Sequence, residues 1–277
     1  MIRASPGLTW RALDGSEVVG SITAFLRPDE RWFVMFDSCR DDACLPLLAA
    51  VSGNTGSDLY MTAEEADSEG FDRLIALGFA VNRRDSIYLI PTDPGRTGLG
   101  DASLPDDVVA ISAADADSED LRLLDDELRQ DVPGNQGWAW HPADFHTETF
   151  DSGDFDPATY IVAADMASAG YIGLARIWIG PGLPRLGLVA VRRPYRRRGV
   201  ARALLARTLG VLHERGRAEV TAEVDDENTA SKVLLTGLGA RRIGGTVEFI
   251  RRGQTVRAIK APGTGPDWRV PGAWPQG

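Results

Sequence analysis

The run LGLVAVRRPYRRRGVARALLA, residues 186–206, holds the densest arrangement of residues suited to chemistry in the 277-residue chain. A β-rich stretch ends near Val191, a basic turn follows, and Gly199 and Ala201 open a helix with almost no side chain in the way. The first amides of a helix have no intrahelical acceptor, and together with the helix dipole they attract phosphate. Small residues let that phosphate approach the backbone. Arg196, Arg197, Arg198 and Arg202 add charge for a diphosphate with a further phosphate nearby. The pattern therefore points to a polyphosphorylated cofactor, although it is neither a Walker loop nor a dinucleotide GxGxxG. Elsewhere little chemistry is on offer. Cys39 and Cys44, in C-x4-C spacing without a nearby His, read as free thiols. His141 and His146 lie five apart, which is not one helix face, and His213 is isolated, so no metal is expected. No Cys or Ser has a paired His that would make it an acyl-accepting nucleophile.

Charge is unevenly spread along the chain. Residues 101–165 carry 17 acidic residues against two Arg, whereas residues 166–277 carry 19 basic residues against eight acidic ones. Such a division suits an enzyme with a cationic substrate and an anionic cofactor, and it equally suits two faces that neutralise one another. The net charge of -10 argues against generic nucleic-acid binding, which requires a basic surface. No apolar stretch approaches the roughly 18 residues of a membrane span, and no apolar segment follows Arg3, so a soluble cytoplasmic protein without a membrane partner is expected.

The elements that must position the basic loop follow from periodicity. Residues 91–107 read as a linker, dividing the chain into domains at 1–98 and 99–277. After it come a strand at DVVAISAAD, a helix with Leu121, Leu124 and Leu128 on one stripe, a short helix at HPADFHTETF, and three strands in an antiparallel meander ending at PRLGLVAV. A regular helix from Val200, a strand AEVTAEV, a helix NTASKVLLTGLG and a strand GGTVEFIRR complete the order. From Ala261 an irregular tail is expected to pack Trp268 and Trp274 on the body. The first hundred residues replay part of this series. Thr62-Ala63-Glu64 answers Thr221-Ala222-Glu223, and Leu77-Gly78 answers Leu238-Gly239, so the chain reads as an internal duplication whose first copy lacks the opening strand and two helices.

Arg196-x-x-Gly199-x-Ala201 after a strand, with Val191 before the loop and Asn228, Leu234 and Leu238-Gly239 after the next strand, resembles the GNAT acetyltransferase superfamily over about residues 107–251. The first copy resembles a truncated, degenerate unit of the same kind. The resemblance implies an α/β fold: tandem units on a central, mixed but mostly antiparallel sheet flanked by helices. It also implies acetyl-CoA as acetyl donor, with its pantetheine arm on the backbone of Val189, Ala190 and Val191. The diphosphate would lie on amides from Arg197 through Gly199, Val200 and Ala201 to Arg202. Asn228 looks like the family's asparagine that contacts the cofactor arm, and Ser231 stands where Ala is usual. In the first copy, SCRDDACLPLLAA occupies the loop position, and Asp41 and Asp42 would repel phosphate, so that unit is expected to be structural and not to bind the cofactor.

The implied reaction is direct attack of an amine on the thioester. Glu223 corresponds to the glutamate that resembles the general base of bacterial ribosomal-protein N-terminal acetyltransferases, with Asp225 and Glu227 as alternatives. The usual tyrosine acid, seven residues after the Asn, is replaced by Leu235, leaving water, Ser231 or Tyr195 to protonate the thiolate. In such folds the segment before the meander lines the acceptor site. Here that segment is acidic, with Asp125, Asp126, Glu127, Asp131, Asp144, Glu148, Asp151, Asp154 and Asp156, and carries Trp138 and Trp140. The expected activity is N-acetylation of a small cationic amine: an amino sugar, polyamine, basic amino-acid derivative or amine-bearing antibiotic. A mycothiol-synthase-like acetyltransferase and a non-catalytic acyl-CoA-binding module are the alternatives, and a homodimer is an open possibility.

Overall fold

In the computed structural model, which describes residues 8–253, the first half of the chain runs β1 (Leu8–Asp14), β2 (Glu17–Leu26), β3 (Trp32–Cys39), α1 (Asp41–Thr55), β4 (Leu59–Glu64), α2 (Ser68–Ala76) and β5 (Ala80–Pro91). The second half runs α3 (Pro94–Thr97), β6 (Val108–Ser112), α4 (Ser118–Arg129), α5 (Pro142–Thr149), β7 (Tyr160–Asp165), β8 (Tyr171–Trp178), β9 (Arg185–Val191), α6 (Val200–Glu214), β10 (Glu219–Asp225), α7 (Thr229–Gly237) and β11 (Arg241–Arg251). The series β1 to β5 with its two helices recurs as β7 to β11, and β6, α4 and α5 have no counterpart in the first half. Sequence reading overlooked β1, an edge strand with most of its residues exposed, because exposure on both faces erases the period-two signal. Trp268 and Trp274 lie outside the described residues.

Among the described residues, eleven strands form one sheet in the order β1-β2-β3-β4-β11-β5-β10-β9-β8-β7-β6. It is mixed but mostly antiparallel, with helices against it, and only β3–β4 and β9–β10 pair in parallel. The order exposes an exchange that the sequence repeat hid. β5, from the first half, pairs with β10, whereas β11, the last strand of the second half, pairs with β4. The cores follow the exchange. Val247 and Phe249 of β11 pack with Ile22, Leu48 and Leu59 of the first half, and Ile90 of β5 packs with Leu205, Leu209 and Val220 of the second. Phe249 and Ile90 are both 0% exposed, so each half buries a large side chain supplied by the other.

α4 begins on Asp117, whose side chain accepts from the amides of Glu119 and Asp120, and it buries the predicted stripe Leu121, Leu124 and Leu128 against the β7–β9 meander. The expectation of free thiols is corrected. Cys39 ends β3 and Cys44 lies in α1, their Cα atoms are 5.8 Å apart, and they are joined in a disulfide. One turn of helix brings back to the strand end two residues that C-x4-C spacing alone does not pair.

Candidate active site

Strands β9 and β10 are paired only at Arg185–Thr221 and Leu186–Ala222, and beyond Leu186 they separate. The edge of β9 that faces β10 is therefore unpaired in the sheet through Val189, Ala190 and Val191, whose other edge is held by β8. At the end of β9 the chain turns through Arg197 (φ 63°) and Gly199 (φ 85°) into α6. Gly199 is required by this left-handed conformation, since open space surrounds the position its Cβ would take. It caps α6 without a side-chain hydrogen bond, and Ala203 is the first amide to find a carbonyl, that of Gly199. The amides of Val200, Ala201 and Arg202 thus have no intrahelical acceptor, a donor set suited to phosphate oxygens.

The arginines around this turn are less free than their number suggests. Arg196 donates to the carbonyl of Val191 and to Asp131, which also holds Arg193. Arg198 pairs with Asp107 and lies over Tyr195, and Arg202 donates to the carbonyl of Gly98. Arg197 has no ion-pair or hydrogen-bond partner among the described residues. The guanidiniums of Arg193 and then Arg196 hold the Asp131 carboxyl down at about 2, so this bridge is charged at any physiological pH. Most of the acidic segment is spent in the same way: Asp126 on Arg122, Glu127 on Arg192, Asp156 on Arg215, and Asp125 on Arg129 and Arg176. Of the two explanations for the charge division, mutual neutralisation is the one these pairs bear out.

The opening between β9 and β10 leads into a cavity of about 500 Å³. Asn228 and Ser231 line it at the start of α7, where Asn228 Oδ1 caps the helix by accepting from the Ser231 amide at 3.0 Å. The Asn228 side-chain NH2 and the Ser231 hydroxyl have no partner among the described residues and are available to a ligand. Leu235, at the usual tyrosine position, is buried in the cavity wall. Tyr195 is not in that wall; it packs against Val200 and Leu204 beside β7. Of the two side chains considered as substitute acids, only Ser231 is in place.

Glu223 lies on β10 in the cavity wall, exposed, and accepts the hydroxyl of Thr246. Its neighbours come from the strand exchange. Asp85 of β5 stands opposite Asp225 and pairs with Arg83 at 2.9 Å, and Arg83 reaches Asp225 at 3.7 Å. Burial, with the charges of Glu223 and Asp225 adding to it, pushes the Asp85 carboxyl up to about 6 despite Arg83. Glu227 is exposed and outside the wall. Sequence reading missed Asp85, Arg83, Arg27, Phe25, Phe33 and Thr62, all cavity residues from the first half of the chain. The charged pair Arg83 and Asp85 inside a strand whose next residues are Ser-Ile-Tyr-Leu-Ile was the available signal.

The α4–α5 loop closes the cavity by docking on the first half. Arg31 and Arg83 both donate to the carbonyl of Gly134, and the Ala139 amide donates to the carbonyl of Pro28. This seats Trp138 in the wall between Arg129 and Arg27, whose guanidiniums lie 4.5 and 5.0 Å from its ring. Trp140 instead donates its indole N–H to Asp125.

The acetyltransferase (GNAT) family profile matches residues 122–239. A curated relative, the mycothiol acetyltransferase of Clavibacter sepedonicus, is 28% identical over 192 residues, which are 67% of this chain and 57% of that protein. The chain thus spans little more than half the length of the curated relative it matches. Among solved structures, a tandem GNAT protein from the clavulanic acid biosynthesis pathway superposes with a TM-score of 0.64 at 17% identity, covering 91% of this chain and 85% of that one. The GCN5-related N-acetyltransferase from Sphaerobacter thermophilus gives 0.60 at 17% identity, over 85% and 77% of the two chains. These structural likenesses establish the fold.

Proposed function

We propose, from the match of residues 122–239 to the acetyltransferase (GNAT) family profile, that the protein is an acetyl-CoA-dependent N-acetyltransferase acting on a small amine that is cationic before reaction. The observation that carries this reading is the combination of an uncapped start of α6, a β9 edge left open beyond Leu186, and a cavity whose wall holds Val189, Glu223, Asn228 and Ser231. Acetyl-CoA, when bound, supplies an acyl group activated as a thioester. The amides of Val200, Ala201 and Arg202, with Arg197, would hold its phosphates; Val189 to Val191, Asn228 and Ser231 would hold its arm. Glu223 would take the proton of the ammonium group, directly or through one water, and unmask the lone pair that attacks. With Leu235 in place of a tyrosine, the departing thiolate would be protonated by solvent or the Ser231 hydroxyl. The cation would be drawn by Glu223, which has no ion pair among the described residues, together with Asp85 and Asp225, which share the single guanidinium of Arg83.

A second acceptor reading, a mycothiol-type amine, is favoured by the similarity to the Clavibacter sepedonicus protein. Titration calorimetry of acetyl-CoA, followed by thiol release across a panel of amines, tests the proposal. Binding at one site per chain is expected, with Gly199→Glu abolishing it by placing a carboxylate where phosphate would lie. Glu223→Gln is expected to keep that affinity and to lower kcat by about 10²- to 10⁴-fold, the usual contribution of a general base. Binding with no thiol release from any amine would leave a non-catalytic acyl-CoA module.

A further inference from the structure

The charged groups of the cavity wall are unevenly paired. Arg129 of the wall is spent on the fully buried Asp125, which also holds Arg176. Arg185, in the wall at the start of β9, has no ion pair or hydrogen bond among the described residues. Burial, and then the charge of Arg176, lower its affinity for its own proton, and the charges of Glu223 and Asp154 offset this only in part. Nε1 of Trp138, a residue 4% exposed, and Nε of Arg27 are buried behind the wall without an acceptor, and Arg27 pairs through its terminal nitrogen with Asp29 at 3.2 Å. Unpaired buried donors cost free energy, and an interior normally supplies their partner. Elsewhere in the wall the carboxylates Asp85, Glu223, Asp225 and Glu248 outnumber the guanidiniums of Arg31 and Arg83 that reach them.

Resting on the reading of this cavity as an acetyl-acceptor site, we infer that the acceptor is a zwitterion, with its amino group toward Asp85 and Asp225 and a carboxylate against Arg185. The strand register separates the two subsites, since Arg185 stands beside Thr221 on β10 and Asp85 beside Asp225 further along the same strand. A carboxylate fits Arg185 because it only accepts hydrogen bonds, whereas a guanidinium only donates. A polycationic acceptor would add charge beside a guanidinium that has no ion pair. Arg185 thereby becomes the residue that selects the substrate, and the first half of the chain, through Asp85, touches its amino end.

The test compares matched pairs that differ by the anion: 4-aminobutyrate with butylamine, and lysine with cadaverine. O-phosphoethanolamine with ethylamine distinguishes a phosphate from a carboxylate. Each is measured by thiol release with acetyl-CoA and, independently of turnover, by calorimetry with coenzyme A present. The intact protein should prefer the zwitterion of at least one carboxylate pair by tenfold or more. Arg185→Gln should bring the ratio to within about twofold of unity, Arg185→Lys should restore part of it, and retained acetyl-CoA affinity shows that the variant is folded. Arg185→Met, which keeps the length of the side chain and removes its charge, should lower the ratio in the same way and stands in if Arg185→Gln does not fold. Equal or better handling of the plain amines in both assays overturns the inference, as does a preference that survives Arg185→Gln in folded protein. A preference confined to phosphoethanolamine overturns the carboxylate. Arg185-dependent binding of a zwitterion without turnover sinks the transferase reading and leaves the inference standing.

Discussion

Asp85 shows how far the chemistry of a residue depends on what is brought against it. It is 6% exposed, faces Asp225 across the β5–β10 pair, and has its carboxyl raised from an ordinary value of 3.8 to about 6, chiefly by burial. The folded protein therefore holds a proton that the unfolded chain releases between pH 4 and pH 6. The contribution of this group to stability is fullest below pH 4, falls as pH rises through about 6, and is then gone, a loss on the order of 2 kcal/mol. Asp85→Asn does not titrate. Its urea-unfolding free energy relative to the parent protein should shift in its favour by roughly that amount between pH 4 and pH 7; a difference that stays flat would mean Asp85 ionises normally. At this scale the sequence disclosed the residues of the basic loop, because helix starts and glycine conformation are local. It could not disclose Asp85, whose neighbours Glu223 and Asp225 are more than a hundred positions away.

Most elements were legible, and their placement was not. The amphipathic stripe of α4, the meander β7 to β9 and the start of α6 follow from periodicity over short windows. The slot taken by β5 does not, because a buried strand reads alike in any central position of a sheet. Between β10 and β11, β5 places Ile90 in a core with Leu205, Leu209 and Val220. Ile90→Ala should cost about 2–5 kcal/mol and lower the midpoint of thermal unfolding by roughly 5–15 °C, in one transition seen alike by near- and far-ultraviolet dichroism. Two separated transitions would show that the halves unfold independently and that the exchanged strand couples them weakly. The disulfide of Cys39 and Cys44 belongs to the same scale: it depends on the turn of chain between β3 and α1, which residue spacing leaves open.

For the whole molecule, division at the linker separates the sequence but cuts through the sheet. A chain of residues 99–277 would lose β5, leave the ladder edges of β10 and β11 unpaired, and open a hole where Ile90 sits. It should aggregate or stay largely unfolded when made alone, and co-expression with residues 1–98 should restore a soluble complex, as size-exclusion chromatography and circular dichroism would register. A monomeric, cooperatively folded 99–277 would show that β10 and β11 can pair without the guest strand. The first half, expected to be structural, thus also forms one side of the cavity, through Arg27, Phe33 and Asp85. The sequence by itself determined most of the element series, though not β1, and the recurring strand–helix order and the glycine turn that opens α6, since each rests on residues a few positions apart. Only the tertiary structure decided which half supplies which strand, which carboxylates are already paired with arginines, and which side chains face the cavity. Those outcomes depend on long-range strand pairing and on desolvation by distant neighbours, and neither leaves a period in the chain.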